Sequence, residues 1–175
     1  LGPPRLDSQN RLWLAWIWRD TESSDTTFDV NAMRRDADGV TWRDLAGNAL
    51  TTPITLANAP LVDSVPQNTS LVGSNAGLWV DNNDDPHIFY LKENGSSLLQ
   101  VFHAYDNSGV WTVDQVTSYT DSFTRFTQLS NITAIGDATS LYVLIRESSA
   151  NTYDATHELV LYTKSSGSWS RRVIT

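Results

Sequence analysis

The sequence predicts an all-β protein built from about three copies of one unit of short antiparallel strands. Apolar residues fall in short runs rich in Val, Ile, Trp and Tyr, and clusters of Asp, Asn, Gly and Ser separate these runs. No segment keeps a 3.6-residue apolar period, so we expect helix to be nearly absent. A Ser-Gly-x-Trp turn occurs twice, at residues 108–111 and 166–169. Together these features indicate strands arranged in a repeat.

The repeat extends beyond the turn itself. Val116 follows Trp111 at the same distance as Ile174 follows Trp169, and a Thr comes next in both copies. A third and looser copy lies at residues 36–55, where an insertion separates the turn and its tryptophan from a closing Pro-Ile-Thr. We interpret the tryptophan strand as the outer strand of each unit, with the tryptophan as its packing anchor.

Each unit carries four predicted strands in the same order. The units cover residues 1–55, 71–117 and 131–175. An aspartate ends the first strand of each unit, at Asp7, Asp81 and Asp137, and the second strand begins four or five residues later. Four antiparallel strands repeated at roughly 55 to 70 residues are the signature of β-propeller blades. The predicted fold is therefore a β-propeller of about three four-stranded blades, an incomplete ring or part of a larger one.

A jelly roll or immunoglobulin-like sandwich is the alternative fold. A sandwich alternates apolar and polar residues more cleanly than residues 12–18 or 141–145 do, and it does not explain the repeated Gly-x-Trp. We assign Trp13, Trp16 and Trp18 to one strand face that packs against a neighbouring blade. Propellers close with typically four to eight blades, so three would leave sheet faces uncovered. We therefore expect either a piece of a longer propeller or an association of several copies.

The composition excludes some partners and indicates a compartment. The net charge of −8 argues against nucleic acid, which binds basic faces. The sequence has no cysteine, so disulfides are excluded, and it has no apolar run long enough for a membrane-spanning helix. Three N-x-[Ser/Thr] sequons favour a secreted glycoprotein, although an Asn- and Ser-rich chain produces some by chance. The candidate glycosylation sites are Asn68, Asn94 and Asn131.

Two stretches carry a resemblance to a known family. The first stretch, residues 6–55, contains LDSQNRLWLAWIWRD and DADGVTW, and the second, residues 75–91, reads NAGLWVDNNDDPHIFYL. These strings resemble the BNR-repeat, Asp-box-related propeller family that includes the ulvan-lyase-like polysaccharide lyases. The resemblance covers most of residues 6–117 and implies a propeller fold. It also aligns Asn75 with a family Gln, which makes Asn75 a candidate substrate-binding residue.

The sequence departs from the family pattern at several motif positions. Ala37 occupies the Asp-box aspartate position, Arg35 its leading serine, and Phe28 the place of a family histidine. The family's catalytic His, Tyr and Arg come largely from blades that would precede Leu1. The resemblance thus implies the fold more firmly than an activity, and we expect the catalytic machinery to be incomplete in this chain.

A set of cations recurs at equivalent strand ends. Each second strand ends in an apolar–basic–acidic triplet, with Arg19, Lys92 and Arg146 as the basic members. Equivalent strand ends lie on one face of a propeller, so these residues are candidates to bind the carboxylates or sulfates of an acidic polysaccharide. The simpler alternative is that charges end strands because hairpins face water.

The histidines offer weak catalytic candidates. His87, His103 and His157 do not share a repeat position, which argues against a zinc site. A lyase needs a base for the proton beside a uronate carboxylate and an acid for the leaving oxygen. His103 beside Tyr105 is the best candidate pair, and a packing role is the alternative for both.

The acidic runs 20–25 and 81–85 supply oxygen ligands that calcium prefers. They lack the spacing of an EF-hand loop, so we interpret them as solvated turns and expect no cofactor.

Three functions remain open on these grounds. The first is a carbohydrate-associated extracellular propeller that binds, or formerly processed, acidic polysaccharide. The second is a structural glycoprotein module that self-assembles through its open sheet faces. The third is an active uronate-polysaccharide lyase acting by β-elimination when further blades are present. Fold alone does not decide between these functions.

Overall fold

The described part of the chain is an all-β structure. The computed structural model describes residues 3–21, 27–67, 72–120, 133–136, 140–148 and 157–174, of which 72–76, 133–134, 148 and 157 by backbone alone. The first sheet contains β1 (Arg5–Leu6), β2 (Leu12–Arg19), β3 (Thr27–Arg35), β4 (Trp42–Arg43) and β5 (Leu61–Asp63). The second sheet contains β6 (Val72–Val80), β7 (Pro86–Glu93), β8 (Leu99–Asp106) and β9 (Trp111–Gln115). The third sheet contains β10 (Thr133–Gly136), β11 (Ser140–Ser148), β12 (His157–Ser165) and β13 (Ser168–Val173).

Each sheet is an antiparallel meander whose main path follows chain order. Arg5 pairs with Trp13 in the first sheet, and Ile88 pairs with Ala104 in the second. This is the architecture of propeller blades, as predicted. The described sheets do not close into a ring, and within the described residues no helix is present that could cross a membrane.

The first sheet differs from the prediction at its outer edge. The Pro-Ile-Thr at residues 53–55 was predicted to close the first unit, but these residues form no strand. The edge is completed by β5, which pairs with β3 through Val30 and Asp63. A proline has no N–H to donate to a strand ladder, so Pro53 is poorly suited to the place that Gln115 takes at the end of β9 in the second unit.

An aspartate builds the turn between the first two strands of a sheet. Asp7 Oδ1 accepts hydrogen bonds from the backbone N–H groups of Gln9 and Arg11, at 3.0 and 2.8 Å. Asp81 Oδ1 likewise accepts hydrogen bonds from the backbone N–H groups of Asn83 and Asp85, at 2.8 and 2.9 Å. Such an Asx turn satisfies N–H groups that the strands leave unpaired, which explains why the repeat places an aspartate here.

The Gly-x-Trp turns reverse the chain before the outer strand. Gly109 and Gly167 adopt φ values of 84° and 82°, and glycine reaches this left-handed region without steric cost. Each turn delivers a tryptophan to the start of an outer strand, Trp111 in β9 and Trp169 in β13. Both side chains pack against the cores, as the packing interpretation predicted.

Both faces of the second sheet are buried. One face packs on the first sheet in a core that includes Trp13, Val30, Ile88 and Tyr90. The other packs on the third sheet in a core that includes Phe89, Leu91, Val101, Val143 and Ile145. Six consecutive residues of β7 are therefore buried, which is why its sequence lacks polar alternation.

The tryptophans of β2 do not share one face, contrary to the prediction. Trp13 faces the second sheet and is 1% exposed. Trp16 and Trp18 are half-buried and meet edge to face, with ring centroids 6.3 Å apart. Positions 13 and 16 differ by an odd number, so strand alternation places them on opposite faces.

We predict that Ile88→Ala lowers the free energy of unfolding by about 2–5 kcal/mol, because Ile88 is fully buried between two sheets and its truncation leaves a cavity. Val110→Ala is the control, since Val110 is 66% exposed and its change should stay within about 0.5 kcal/mol. Urea denaturation measures both values. Equal effects of the two substitutions would contradict the observed packing of the sheets.

Candidate functional site

A chain of hydrogen bonds crosses the second sheet on the face that meets the third. His87 lies at the start of β7, His103 in β8 and Asp114 in β9. The Nδ1 atom of His87 lies 2.9 Å from Nε2 of His103. The Nδ1 atom of His103 lies 3.0 Å from Oδ1 of Asp114. Alternation places all three side chains on one sheet face.

Asp114 continues the chain into the third sheet. Its Oδ2 accepts hydrogen bonds from Lys164 Nζ at 2.7 Å and from Trp169 Nε1 at 3.2 Å. Burial alone would raise the pKa of Asp114, but the hydrogen bonds with His103 and Lys164 lower it to about 2. The carboxylate therefore stays charged at neutral pH and ties the two sheets together.

The charge of Asp114 fixes the histidine tautomers. An ionised Asp114 only accepts, so His103 Nδ1 donates to it, and Nε2 of neutral His103 accepts from Nδ1 of His87. The Nε2 atom of His87 then faces Asp81 Oδ2 at 3.7 Å. Burial, and then the charge of His103, lower the pKa of His87 to about 4 despite Asp81. Burial likewise lowers the pKa of His103.

The equivalent aspartate of the first sheet, Asp7, has different hydrogen-bond partners. There Asp7 Oδ2 accepts from Arg11 Nε at 2.6 Å and from Trp13 Nε1 at 3.1 Å. Asp81 Oδ2 is buried and has no hydrogen-bond partner among the described residues. His87 stands where the first unit has Trp13, and it donates only when protonated on Nε2. The second unit thus has a titratable histidine at the position where the first unit has an indole N–H that always donates.

The two catalytic candidates, His103 and Tyr105, lie where the second and third sheets meet along this hydrogen-bond chain. We call this contact the joint. His103 is 1% exposed. Its ring stacks between those of Phe89 and Tyr105, at centroid distances of 4.7 and 4.9 Å. Lys164 Nζ covers Tyr105 at 4.1 Å from the ring centroid. Among the described residues, His103 therefore has almost no surface at which it could meet a polymer.

The three strand-end cations have different surroundings. Arg19 and Arg146 are exposed, and the described residues contain no ion pair to either. Lys92 is held by Asp63, with Nζ 2.5 Å from Oδ2, and lies 4.5 Å from the ring centroid of Phe102. Of the three cations, Arg19 and Arg146 are therefore the two whose side chains are exposed and have no ion pair within the described part of the chain.

The remaining sequence candidates are only partly covered by the structure. Asn75 lies in β6, and its side chain is outside the described part of the chain. Asn68 and Asn131 fall outside the described residues. Asn94 begins the turn after β7, where its Oδ1 accepts backbone hydrogen bonds from Ser96 and Leu98 at 2.9 and 3.1 Å.

The acidic run 81–85 forms a hydrogen-bonded turn. The Oδ1 atom of Asp81 accepts the two N–H groups described above, and Asp84 accepts from the N–H and hydroxyl of Ser8 at 2.7 and 2.8 Å. Among the described residues, no three His, Asp or Glu side chains are grouped to hold a metal.

A second polar cluster was missed at the sequence level. The Glu147 carboxylate is 1% exposed and accepts from the hydroxyls of Tyr119 and Tyr162, the latter at 2.6 Å. It also accepts from Arg171 Nη2 at 2.8 Å and Nε at 3.2 Å. Glu147 had been grouped with Arg146 as an exposed strand end. Strand alternation was the signal against this grouping, because neighbouring residues face opposite sides.

A cleft opens beside this cluster, where the chain leaves the second sheet and meets the third. Its volume is about 250 Å³, and its walls include Tyr119, Thr120, Tyr162, Trp169 and Arg171. We call it the junction cleft. Burial raises the pKa of both tyrosines. They therefore remain protonated donors to Glu147 and do not act as bases near neutral pH.

We predict that stability falls as the pH is lowered from about 6.5 to about 4. In this range the unfolded chain protonates His87 and the folded chain does not, because its folded pKa is about 4. The difference from the usual pKa of about 6.5 corresponds to about 3 kcal/mol. Urea unfolding at a series of pH values measures the slope.

His87→Gln tests the origin of that slope, since glutamine keeps hydrogen-bonding capacity but does not titrate. Between pH 6.5 and 4 the free energy of unfolding of the variant should depend less steeply on pH, by the contribution of about one proton. An unchanged slope, or titration of His87 itself near 6.5 in the folded protein by NMR, would refute the assignment.

The model of a family described as "BNR repeat-containing family member" matches residues 1–119. No curated protein matches this sequence.

Three solved structures share the fold. An ulvan lyase of polysaccharide lyase family PL25 superposes with a TM-score of 0.71 at 13% identity, covering 98% of this chain and 41% of the lyase. The same figures hold for that lyase bound to -[GlcA(1-4)Rha3S]-. The polysaccharide lyase Uly1 superposes at 0.54 with 14% identity, over 99% and 45%. The chain thus spans less than half the length of these lyases. The family match, over more than half of the sequence, shows that this chain belongs to the BNR repeat-containing family.

Proposed function

We propose that this protein is a carbohydrate-associated β-propeller that binds acidic polysaccharide. The solved structures that share this fold are those of polysaccharide lyases, one of them bound to -[GlcA(1-4)Rha3S]-. The family match and the shared fold support a related role here. An extracellular location is part of the proposal, because such polymers are found outside cells.

The observation that carries the proposal is the pair of exposed arginines at equivalent strand ends. Arg19 ends β2 of the first sheet, and Arg146 lies near the end of β11 of the third. Because stacked sheets pack about 10 Å apart, two sheet spacings separate these residues by roughly 20 Å. That separation suits a polymer with charges on several successive units, and guanidinium groups bind carboxylates or sulfates in two-point contacts.

We predict that Arg19→Ala/Arg146→Ala weakens binding to a uronate-rich polymer by about 2- to 30-fold. Each exposed ion pair contributes about 0.2–1 kcal/mol, and the two contributions should add because the sites are far apart. Affinity electrophoresis through gels containing the polymer measures the change. Binding should also weaken at high salt, because exposed charges are screened.

Arg43→Ala is the matched control. It removes the same charge from a half-buried arginine that is already paired with Asp36, with Nε 2.5 Å from Oδ2. Its polymer affinity should stay close to that of the unaltered protein. Absence of binding to any acidic polymer, or equal binding by the double variant, would overturn the proposal.

A second candidate function, assembly with further copies of the chain, is supported by the outer face of the third sheet. Val143 and Ile145 face the second sheet, so Tyr142 and Leu144 point the other way. Tyr142 is 41% exposed there. The second sheet shows that a sheet of this kind can be covered on both faces, and the first sheet of another copy would supply the half-buried Trp16 and Trp18 as a partner surface.

We predict for this candidate a molar mass of several chains by light scattering. Tyr142→Arg should reduce the mass to that of one chain, because it places a charge in the contact. A single-chain mass for the unaltered protein at micromolar concentration would rule out assembly and leave the polysaccharide proposal unaffected.

A further inference from the structure

We infer that the junction cleft between the second and third sheets is a binding site for one uncharged sugar ring. This site is separate from the strand-end arginines of the proposed function. Its volume of about 250 Å³ lies just below the roughly 300–1,000 Å³ of pockets that bury drug-sized ligands. A single ring is therefore the largest unit that it encloses, and an attached chain would extend into solvent.

The cleft is organised before a ligand arrives. Glu147 is buried and receives hydrogen bonds from Tyr119, Tyr162 and Arg171. Burial alone would lower the pKa of Arg171, but its hydrogen bonds with Glu147 raise the pKa above its usual value. The guanidinium and the two phenols are consequently held in one orientation. Side chains that are already ordered cost less entropy on binding than mobile ones.

The groups left facing the cleft match the surface of a sugar. Arg171 uses Nε and Nη2 for its carboxylate contacts, and its side chain remains 41% exposed at the wall of the cleft, so Nη1 is the group that can donate to a sugar hydroxyl. The Tyr162 hydroxyl donates to Glu147 and also interacts with Tyr119 and Arg171, so it holds the guanidinium in place at the wall of the cleft. Trp169 supplies an aromatic wall for the C–H face of a ring.

Trp169 is itself held firmly. Its Nε1 donates to Asp114 at 3.2 Å, and its ring meets His103 edge to face at a centroid distance of 5.6 Å. The indole therefore has a fixed position at the wall of the cleft. The Asp114 joint and the cleft share this residue, so the hydrogen-bond chain that joins the sheets also positions the aromatic wall.

The charges around the cleft favour an uncharged ring over a uronate. Arg171 Nη2 lies 2.8 Å from Glu147 Oε2 and 3.3 Å from Glu158 Oε2. One cation thus faces two carboxylates, and the three groups sum to a negative charge. A ligand carboxylate would be repelled at close range, where like charges interact strongly in a partly buried site. Sugar hydroxyls carry no such penalty.

The test compares methyl glycosides of neutral hexoses with those of the matching uronic acids, which differ by one carboxylate. Binding is followed by saturation-transfer NMR and by tryptophan fluorescence. At least one neutral hexoside should bind, and its uronoside should bind at least tenfold more weakly. Arg171→Lys keeps the charge beside Glu147 but removes Nη1, and it should weaken hexoside binding at least tenfold.

Arg172→Lys is the matched control, because alternation places Arg172 on the opposite face of β13. It should bind the hexoside normally. Near-ultraviolet circular dichroism verifies that each variant keeps its fold, and Trp169→Phe provides a second variant that leaves Glu147 fully bonded. Absence of binding by every neutral hexoside, an equally tight uronoside, or unchanged binding in both Arg171→Lys and Trp169→Phe would overturn the inference. Polymer binding that depends on Arg19 and Arg146 is unaffected by any of these outcomes.

Discussion

The burial of both faces of the second sheet is the constraint on which the rest of the structure depends. A four-stranded meander that is apolar on both sides cannot stand alone in water, and it gains most of its stability from the sheets on either side. Ile88 and Tyr90 point to the first sheet, whereas Phe89 and Leu91 point to the third, and all four are fully buried. The two contacts are thus made by alternate residues of one strand.

The contacts of the second sheet with the first and with the third sheet differ chemically. The contact with the first sheet is apolar at its centre, and Arg34 lies 5.6 Å from the ring centroid of Trp13. The contact with the third sheet contains a line of polar groups from Asp81 to Lys164. A buried polar network stabilises only when its members are paired, and here the unpaired end is the Asp81 oxygen beside His87. The joint between the second and third sheets is therefore the one most sensitive to acid.

The sequence was sufficient for the architecture because the architecture is repeated. Turn aspartates, turn glycines and outer-strand tryptophans each solve a local backbone problem, so their spacing predicts the meander and the sheet order. The extra strand β5 was not predictable from the repeat, since it fills a place that the other units fill with a different segment. The opposite faces of Trp13 and Trp16 follow from the sequence alone, because their positions differ by three and successive strand residues alternate.

The functional residues were less predictable, since their roles depend on contacts between sheets. His103 and Tyr105 have side chains suited to acid–base chemistry, but residue type does not show that Phe89 and Lys164 enclose them. Lys92 occupies the same position in its repeat unit as Arg146, yet it is paired with Asp63, which lies on a strand outside the repeat. The cluster around Glu147 joins Tyr119 to Arg171, residues more than fifty positions apart, and no local pattern links them.

Burial therefore separates the roles of the polar side chains in this chain. Removal from water lowers the pKa values of His87 and His103 in the joint between the second and third sheets, whereas hydrogen bonds lower that of Asp114. Arg19 and Arg146 at the hairpin ends keep solvent access, and Arg171 at the mouth of the junction cleft combines solvent access with a position fixed by Glu147. In the proposed functions a carbohydrate would meet Arg19, Arg146 and Arg171, whereas protonation of His87 would weaken the joint between the second and third sheets as the pH falls.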